Sequence, residues 1–152
     1  MTVRPLGALL AGIADPDVFG ELAVSGLALD SRRVHAGDAF VALRGTHAHG
    51  LTFAAEAVRR GARIVLAEAP AQPADDVDAP LLWIEDLHVR LGEIAARFYA
   101  QPSASLHVIG VTGTNGKTSI VQLLAQALER LGHRTATIGT LGAGLHGALR
   151  EA

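Results

Sequence analysis

The sequence contains no cysteine among its 152 residues. Disulfide bonds, thiolate catalysis and cysteine-ligated zinc are therefore excluded. Lysine and arginine are not gathered into a basic stripe, and the formal net charge is −2, which argues against nucleic acid as a partner. Long apolar runs are also missing, so no stretch of the sequence is predicted to span a membrane.

The chain does contain the material for a packed core, with 49% hydrophobic and 18% charged residues. Near the N-terminus, Arg4 precedes an apolar run that could be mistaken for a short signal peptide. The large apolar residues between positions 6 and 13 recur at helical spacing, however, and a proline flanked by aspartates follows. A short amphipathic helix is the better interpretation, in agreement with a soluble cytoplasmic enzyme.

Residues 112–119 read Thr-Gly-Thr-Asn-Gly-Lys-Thr-Ser and lie between the apolar run 108–111 and a helical pattern. Gly113 and Gly116 let backbone N–H groups close around an anion, to which the helix N-terminus adds its positive end. Lys117 can reach the β- and γ-phosphates of a nucleotide, and the Thr118 hydroxyl can ligate Mg²⁺. The segment predicts a phosphate-binding loop; an ordinary strand-to-helix turn is the alternative.

The loop departs from the strict pattern G-x-x-x-x-G-K-[ST], because Val111 stands where that pattern has glycine. The variant spelling resembles the ATP loop of the Mur ligases and of the folylpolyglutamate and cyanophycin synthetases. These enzymes join a carboxylate to an amine at the expense of ATP. The loop alone does not choose among them.

The N-terminal half narrows the resemblance. Segments 27–34, 37–45, 49–50 and 60–62 look like the uridine-nucleotide-binding first domain of two Mur ligases. The MurE type adds the third residue of the muramoyl peptide, and the MurF type adds the terminal D-Ala-D-Ala dipeptide. The Thr-Asn-Gly spelling of the loop and the sequence around residues 97–103 resemble the MurE type more closely. The resemblance runs from about residue 24 to 144.

This resemblance implies a substrate, cofactors and site residues. The expected substrates are UDP-N-acetylmuramoyl-L-alanyl-D-glutamate and a diamino acid, either meso-diaminopimelate or L-lysine, with ATP and Mg²⁺ as cofactors. Lys117 is the expected catalytic residue, and Thr118 the expected Mg²⁺ ligand. The expected ATP-binding residues are Gly113, Thr114, Asn115, Gly116, Lys117, Thr118 and Ser119. The expected contacts to the UDP-substrate are Leu29, Ser31, Thr46, His47 and Ala48.

Two α/β domains are predicted, over residues 1–102 and 103–152. The first is a small mixed α/β domain that binds the UDP-substrate, and the second is the incomplete start of a P-loop ATPase domain, a single βαβ unit. Strands are expected near 22–29, 39–43, 64–67 and 81–84, and helices near 52–60 and 87–99 with Asp86 as an N-cap. In the second domain, a strand at 135–140 is expected to lie parallel to one at 108–111. The chain is expected to be an N-terminal fragment without catalysis of its own.

Several alternatives stay open at this point. Without the resemblance, Asp30 and Ser31 would be taken for a turn that closes a strand. His47 and His49, with His35 nearby, form only a weak zinc pattern, because no carboxylate partner stands at ligand spacing. A MurF-type ligase and a non-catalytic uridine-nucleotide-binding module are the alternative functions. The sequence does not indicate an oligomeric state.

Overall fold

The computed structural model describes residues 2–46, 48–70 and 78–150. The chain divides into two compact units, residues 1–106 and residues 107–152. We call them the N-terminal unit and the C-terminal unit, and each is described by itself.

The N-terminal unit is built on a four-stranded parallel sheet. It is preceded by a small antiparallel pair, β1 (Arg4–Pro5) and β2 (Ala23–Val24). The strands of the parallel sheet, in spatial order, are β3 (Leu27–Ala28), β4 (Ala39–Ala42), β5 (Ile64–Ala69) and β6 (Leu81–Glu85). This sheet confirms the predicted mixed α/β class with parallel strands.

Helices cover both faces of the sheet, which explains why its central strands are apolar without alternation. The helices are α1 (Leu6–Leu10), α2 (Ala54–Arg59) and α3 (Leu87–Phe98). Val41 and Leu66 belong to the core shared with α1 and α3, whereas Phe40 and Val65 belong to the core shared with α2. Every residue of β4 is buried, and so are the first five of β5.

Two of the predicted elements are shorter than expected. The strand expected over residues 22–29 is divided, because β2 pairs with β1 while β3 pairs with β4. Between them the buried Asp38 carboxylate accepts the Ser25 hydroxyl at 3.2 Å and the His35 N–H at 2.9 Å, so the chain bends there. The first helix stops at Leu10, whose carbonyl accepts the N–H groups of both Ile13 and Ala14.

The prediction that Asp86 caps α3 with its side chain is wrong. Asp86 has φ 49°, in the left-handed region, and its side chain makes no capping hydrogen bond. A side-chain N-cap requires extended backbone at that residue. Instead, the carboxylate of Glu68 at the end of β5 accepts the His88 N–H at 3.3 Å in the first turn of α3.

The C-terminal unit consists of one helix and an antiparallel sheet. Helix α4 spans Lys117–Arg130. The three strands are β7 (Ala136–Gly139), β8 (Gly142–Leu145) and β9 (Ala148–Arg150), each antiparallel to the next.

The expected parallel pair in this unit is not observed, and the expectation is corrected here. Residues 107–111 form no strand in the described chain, and β7 pairs with β8. Thr140 and Leu141 alone connect these strands, so the hairpin closes a very short loop. A lone parallel pair would leave both of its faces uncovered, which parallel sheets do not tolerate.

Most large apolar side chains of the C-terminal unit are exposed. Leu123 and Ile138 are 65% and 87% exposed, and Ala125 is the one buried hydrophobic residue described in this unit. The free energy gained by burying apolar surface is therefore small in this unit compared with the N-terminal unit. None of the helices described in the chain is long and apolar enough to cross a membrane.

The first prediction concerns the core of the N-terminal unit. Ile94→Ala removes a fully buried side chain from α3, so we expect the free energy of unfolding to fall by about 2–5 kcal/mol. Val89→Ala, on the same helix but 66% exposed, is the control and should change it by less than about 0.5 kcal/mol. Urea unfolding followed by fluorescence of Trp83, the single tryptophan, measures both. Equal urea midpoints for the two variants would contradict the described core.

The second prediction concerns the C-terminal unit. Isolated helices of the length of α4 are marginal in water without an apolar face packed against a core. We therefore expect amide hydrogens of residues 117–139 to exchange much faster than those of β4 and β5. Hydrogen exchange read by NMR tests this in a sample shown to be monomeric by sedimentation. Protection of α4 equal to that of β4 would show that this unit is stable by itself.

Candidate functional site

The carboxyl ends of the parallel strands bring the predicted substrate-binding residues to one edge of the sheet. Leu29 and Ser31 follow β3 directly, and the turn 44–49 follows β4, its neighbour in the sheet. Ligands of parallel α/β sheets bind outside the carboxyl ends of the strands. The topology therefore groups two segments that the sequence places thirteen or more residues apart.

Asp30 forms the turn that follows β3. Its carboxylate accepts the Arg32 N–H at 3.0 Å and caps a short 3₁₀ helix, Ser31–Arg33. It also receives two hydrogen bonds from the Arg32 guanidinium, at 2.7 and 3.0 Å. The guanidinium and the Arg32 N–H together lower the pKa of Asp30 to about 2. Asp30 therefore has the structural role of a turn residue, which was the alternative drawn from the sequence.

Leu29 and Ser31 have different surroundings at the same edge. Leu29 is 57% exposed and lines a cavity of about 490 Å³, together with Arg33 and Tyr99 among others. Ser31 is buried, and its hydroxyl donates to the Glu56 carboxylate on α2 at 2.7 Å. This bond, followed by that from Arg60, lowers the pKa of Glu56.

The Ser31 hydroxyl is thus not free to donate to a ligand. Its hydrogen is held by Glu56, which leaves the oxygen lone pairs as the remaining bonding capacity of the side chain. Ser31 is therefore prepared to accept a hydrogen bond from a ligand rather than to donate one. Glu56 is a contributor that the sequence analysis missed, because twenty-five residues separate it from Ser31.

The turn 44–49 is closed on itself by backbone bonds. Arg44 and His49 form an isolated antiparallel bridge, and the Gly45 N–H donates to the Ala48 carbonyl at 3.0 Å. Thr46 and Ala48 are exposed at the tip. His47 lies outside the described residues.

Glu68 is a second residue that the sequence analysis missed. It is 4% exposed at the carboxyl end of β5, and its carboxylate accepts the Arg44 N–H at 2.9 Å and contacts the His88 ring. Burial alone would raise the pKa of Glu68, but the hydrogen bonds from Arg44 and His88 outweigh burial and lower it. An acidic residue at the end of an otherwise apolar strand was the available signal, since such residues are rarely buried without partners.

The predicted phosphate loop has two local features that suit an anion. Gly113 and Gly116 have φ of 146° and 75°, which glycine adopts without strain. No side chain caps the N-terminus of α4, so the first N–H groups of the helix remain available to an anion. Thr114, Asn115, Thr118 and Ser119 are all exposed.

Lys117 lies over this loop. It is the only lysine in the sequence, and its Nζ donates to the Gly113 carbonyl at 2.6 Å. Phosphate oxygens would replace that carbonyl as the acceptor. The uncapped helix, the exposed Thr118 hydroxyl and this lysine fit a nucleotide phosphate with Mg²⁺. Within residues 2–46, 48–70 and 78–150, no group of three or more His, Asp or Glu side chains could hold a metal ion.

The chain matches two domains of one protein family in sequence order. Residues 23–99 match the catalytic domain of the Mur ligase family, and residues 111–150 match the Mur ligase middle domain. The chain belongs to the Mur ligase family. The resemblance noted from the loop and from the N-terminal segments is confirmed.

Individual proteins give the finer comparison. A protein of Xanthomonas campestris pv. campestris (strain 8004) named UDP-N-acetylmuramoyl-L-alanyl-D-glutamate--2,6-diaminopimelate ligase is 57% identical over 136 residues, which are 88% of this chain and 27% of that protein. A solved structure of a ligase with this name has a TM-score of 0.75 and 32% identity, covering 98% of this chain and 30% of the other.

The MurF ligase of Thermotoga maritima, solved in complex with ADP, has a TM-score of 0.55 and 30% identity, covering 74% of this chain and 24% of the other. The chain thus spans 27% of the length of the Xanthomonas relative that it matches. The candidate UDP-substrate residues lie within the first matched region, residues 23–99, and the predicted phosphate loop lies within the second, residues 111–150.

Proposed function

We propose that this chain serves in a MurE-type, ATP-dependent ligase of peptidoglycan precursor synthesis. The reaction joins 2,6-diaminopimelate to UDP-N-acetylmuramoyl-L-alanyl-D-glutamate. The observation that carries the proposal is the 57% identity to a ligase named for this reaction. A cytoplasmic location belongs to the same proposal, since ATP and the UDP-linked precursor are used there.

In this proposal each unit has its own ligand. Residues 1–102 hold the UDP-substrate at the carboxyl edge of the parallel sheet, and residues 103–152 begin the ATP-binding P-loop domain. The exposed Leu29 offers apolar surface, Ser31 accepts a hydrogen bond, and Thr46 and Ala48 complete the contact together with His47, which lies outside the described residues. Gly113 to Ser119 bind the phosphates of ATP.

The chemistry is activation of a carboxylate. The terminal carboxylate oxygen attacks the γ-phosphorus of ATP and ADP leaves; the amine then attacks the acyl phosphate, phosphate leaves, and the nitrogen loses a proton. Lys117 and the loop N–H groups hold the transferring phosphoryl group in place and offset its charge. Thr118 would hold Mg²⁺, which would neutralise further phosphate charge.

A MurF-type ligase and a non-catalytic uridine-nucleotide-binding module are the other proposals. The MurF type is supported by the fold similarity to the Thermotoga maritima enzyme, which is weaker than that to the diaminopimelate ligase. Assays with diaminopimelate and with D-Ala-D-Ala as competing acceptors distinguish the two ligases. The non-catalytic module would bind the UDP-substrate but would consume no ATP, even when it is assayed in a polypeptide that contains the complete ligase domains.

The third prediction tests the UDP-substrate site. Ser31→Ala removes one hydrogen-bonding group, so we expect the Kd for UDP-N-acetylmuramoyl-L-alanyl-D-glutamate to rise about fivefold. Ser105→Ala is the matched control, because its exposed hydroxyl bonds only locally, to the Pro102 carbonyl at 3.0 Å. Isothermal calorimetry on the 152-residue chain measures both. An unchanged Kd in Ser31→Ala would remove Ser31 from the site.

The fourth prediction tests the phosphate loop. In a ligase polypeptide that contains these residues, Lys117→Ala should lower the ligation rate by at least about 100-fold, because a preorganised charge is lost. The Kd for the UDP-substrate should not change, since its site lies in the other unit. Arg130→Ala, which removes a charge from the far end of α4, is the control with near-normal turnover.

The assignment of Lys117 to the phosphate-binding site can also be tested without measuring catalysis. Within residues 1–152 Lys117 is the only lysine, so amine-reactive labelling of the peptide that contains it reports on Lys117 alone. ATP with Mg²⁺ should slow labelling of Lys117 in the ligase but not labelling of the N-terminus. Near-normal turnover of Lys117→Ala, or equal labelling with and without ATP, would disprove the assignment.

A further inference from the structure

Glu68 contacts both ends of the turn 44–49. Its carboxylate accepts the Arg44 N–H at 2.9 Å, and its backbone carbonyl lies 3.0 Å from Nε2 of His49. Arg44 adds a third connection to this strand end, since its guanidinium donates to the Pro70 carbonyl at 3.0 Å. Glu68 near the end of β5 and Pro70 just after it thus hold the turn that follows β4.

The bonds of His49 assign its tautomer. Nδ1 accepts the Leu51 N–H at 3.1 Å, so this nitrogen carries a lone pair. Nε2 must then carry the hydrogen that is donated to the Glu68 carbonyl. The ring is therefore fixed at both nitrogens, and it joins the end of the turn to β5.

Glu68 also connects this turn to α3. Its carboxylate accepts the His88 N–H at 3.3 Å and contacts Nδ1 of the His88 ring. The side chain of Glu68 is 5% exposed, whereas that of His88 is 59% exposed. The carboxylate is thus shielded from water, and its charge is compensated by three donors from two directions.

Such a carboxylate is sensitive to the loss of any partner, because a buried charge without its hydrogen bonds is costly. The titratable side chain in contact with it is His88 from α3, whereas the Arg44 guanidinium donates to the Pro70 carbonyl and the His49 ring lies against the Glu68 backbone carbonyl. The hydrogen bonds from the Arg44 N–H and from His88 lower the pKa of Glu68 in spite of its burial. The stability that the carboxylate contributes is therefore present at neutral pH and is lost as the pH falls through this lowered pKa.

We propose that Glu68 is a positioning residue of the UDP-substrate site, which holds the turn 44–49 in its binding conformation through Arg44 and His49. The proposal rests on the proposed function of that turn. Glu68 itself does not touch the substrate. It acts through the backbone that presents Thr46 and Ala48.

The main variant is Glu68→Gln, which keeps the shape of the side chain and removes its charge. A glutamine has one acceptor oxygen for three donors, and its NH₂ group faces one of them. We expect the Kd for UDP-N-acetylmuramoyl-L-alanyl-D-glutamate to rise at least about tenfold, since hydrogen bonds to a charged group are lost. The Arg44 amide hydrogen should exchange faster in the absence of substrate.

Glu85→Gln is the matched control. Glu85 ends β6 and pairs in register with Ala69, but it is exposed. The substitution removes the same charge from the same edge of the sheet. It should leave both the Kd and the Arg44 exchange rate within about twofold of the unchanged chain, as for surface substitutions in general.

His88→Ala provides a second measurement if Glu68→Gln destabilises the fold, because the His88 side chain is mostly exposed. The pKa of Glu68, read from its side-chain carboxyl ¹³C signal, should rise in this variant. The Arg44 amide proton shift should titrate with the same midpoint as Glu68 in both chains. A structural defect unrelated to Glu68 would not move these two midpoints together.

The results separate the two proposals. Unchanged Arg44 exchange in Glu68→Gln, or an Arg44 amide that does not follow the Glu68 titration, would show that Glu68 does not hold the turn. Faster exchange with an unchanged Kd would show that holding the turn does not position the site. A lack of substrate binding by the unchanged chain would instead overturn the proposed function of this edge.

Discussion

The burial of β4 and β5 on both faces is the constraint on which the rest of the N-terminal unit depends. Both strands are covered by helices on either side, so their side chains are apolar and their polar groups are confined to the strand ends. Parallel strands then direct all carboxyl ends to one edge. The position of the candidate UDP-substrate site follows from this packing rather than from any single motif.

Buried polar groups at that edge need hydrogen-bond partners, which the apolar side chains of the strands do not provide. Glu68 is buried near the end of β5. Its carboxylate is stable there because Arg44 and His88 donate hydrogen bonds to it. Ser31 is likewise buried and paired with Glu56. Residues from separate segments of the chain therefore complete each other's hydrogen bonds at this edge.

The C-terminal unit shows the opposite situation. The predicted phosphate loop has two glycines at positive φ, and no side chain caps the start of α4; both features are local. The apolar side chains of the same unit are largely exposed. The features on which the proposed ATP site rests are thus formed by the local sequence, even where the surrounding unit buries little surface.

The sequence by itself determined the elements and motifs that depend on neighbouring residues. The apolar runs of β4, β5 and β6 and the helical periodicity of α3 were legible, and so was membership of the Mur ligase family; the phosphate loop stays a prediction. Each of these signals lies within a short segment, where spacing and residue type are sufficient.

Tertiary structure alone decided which distant groups meet. Glu68 rather than Asp86 caps the first turn of α3, Glu56 takes the Ser31 hydroxyl, and β7 pairs with β8 rather than with a parallel strand. These outcomes depend on burial and on the competition of several donors for one acceptor. Neither quantity is visible in a linear sequence, because both arise only when the chain is packed.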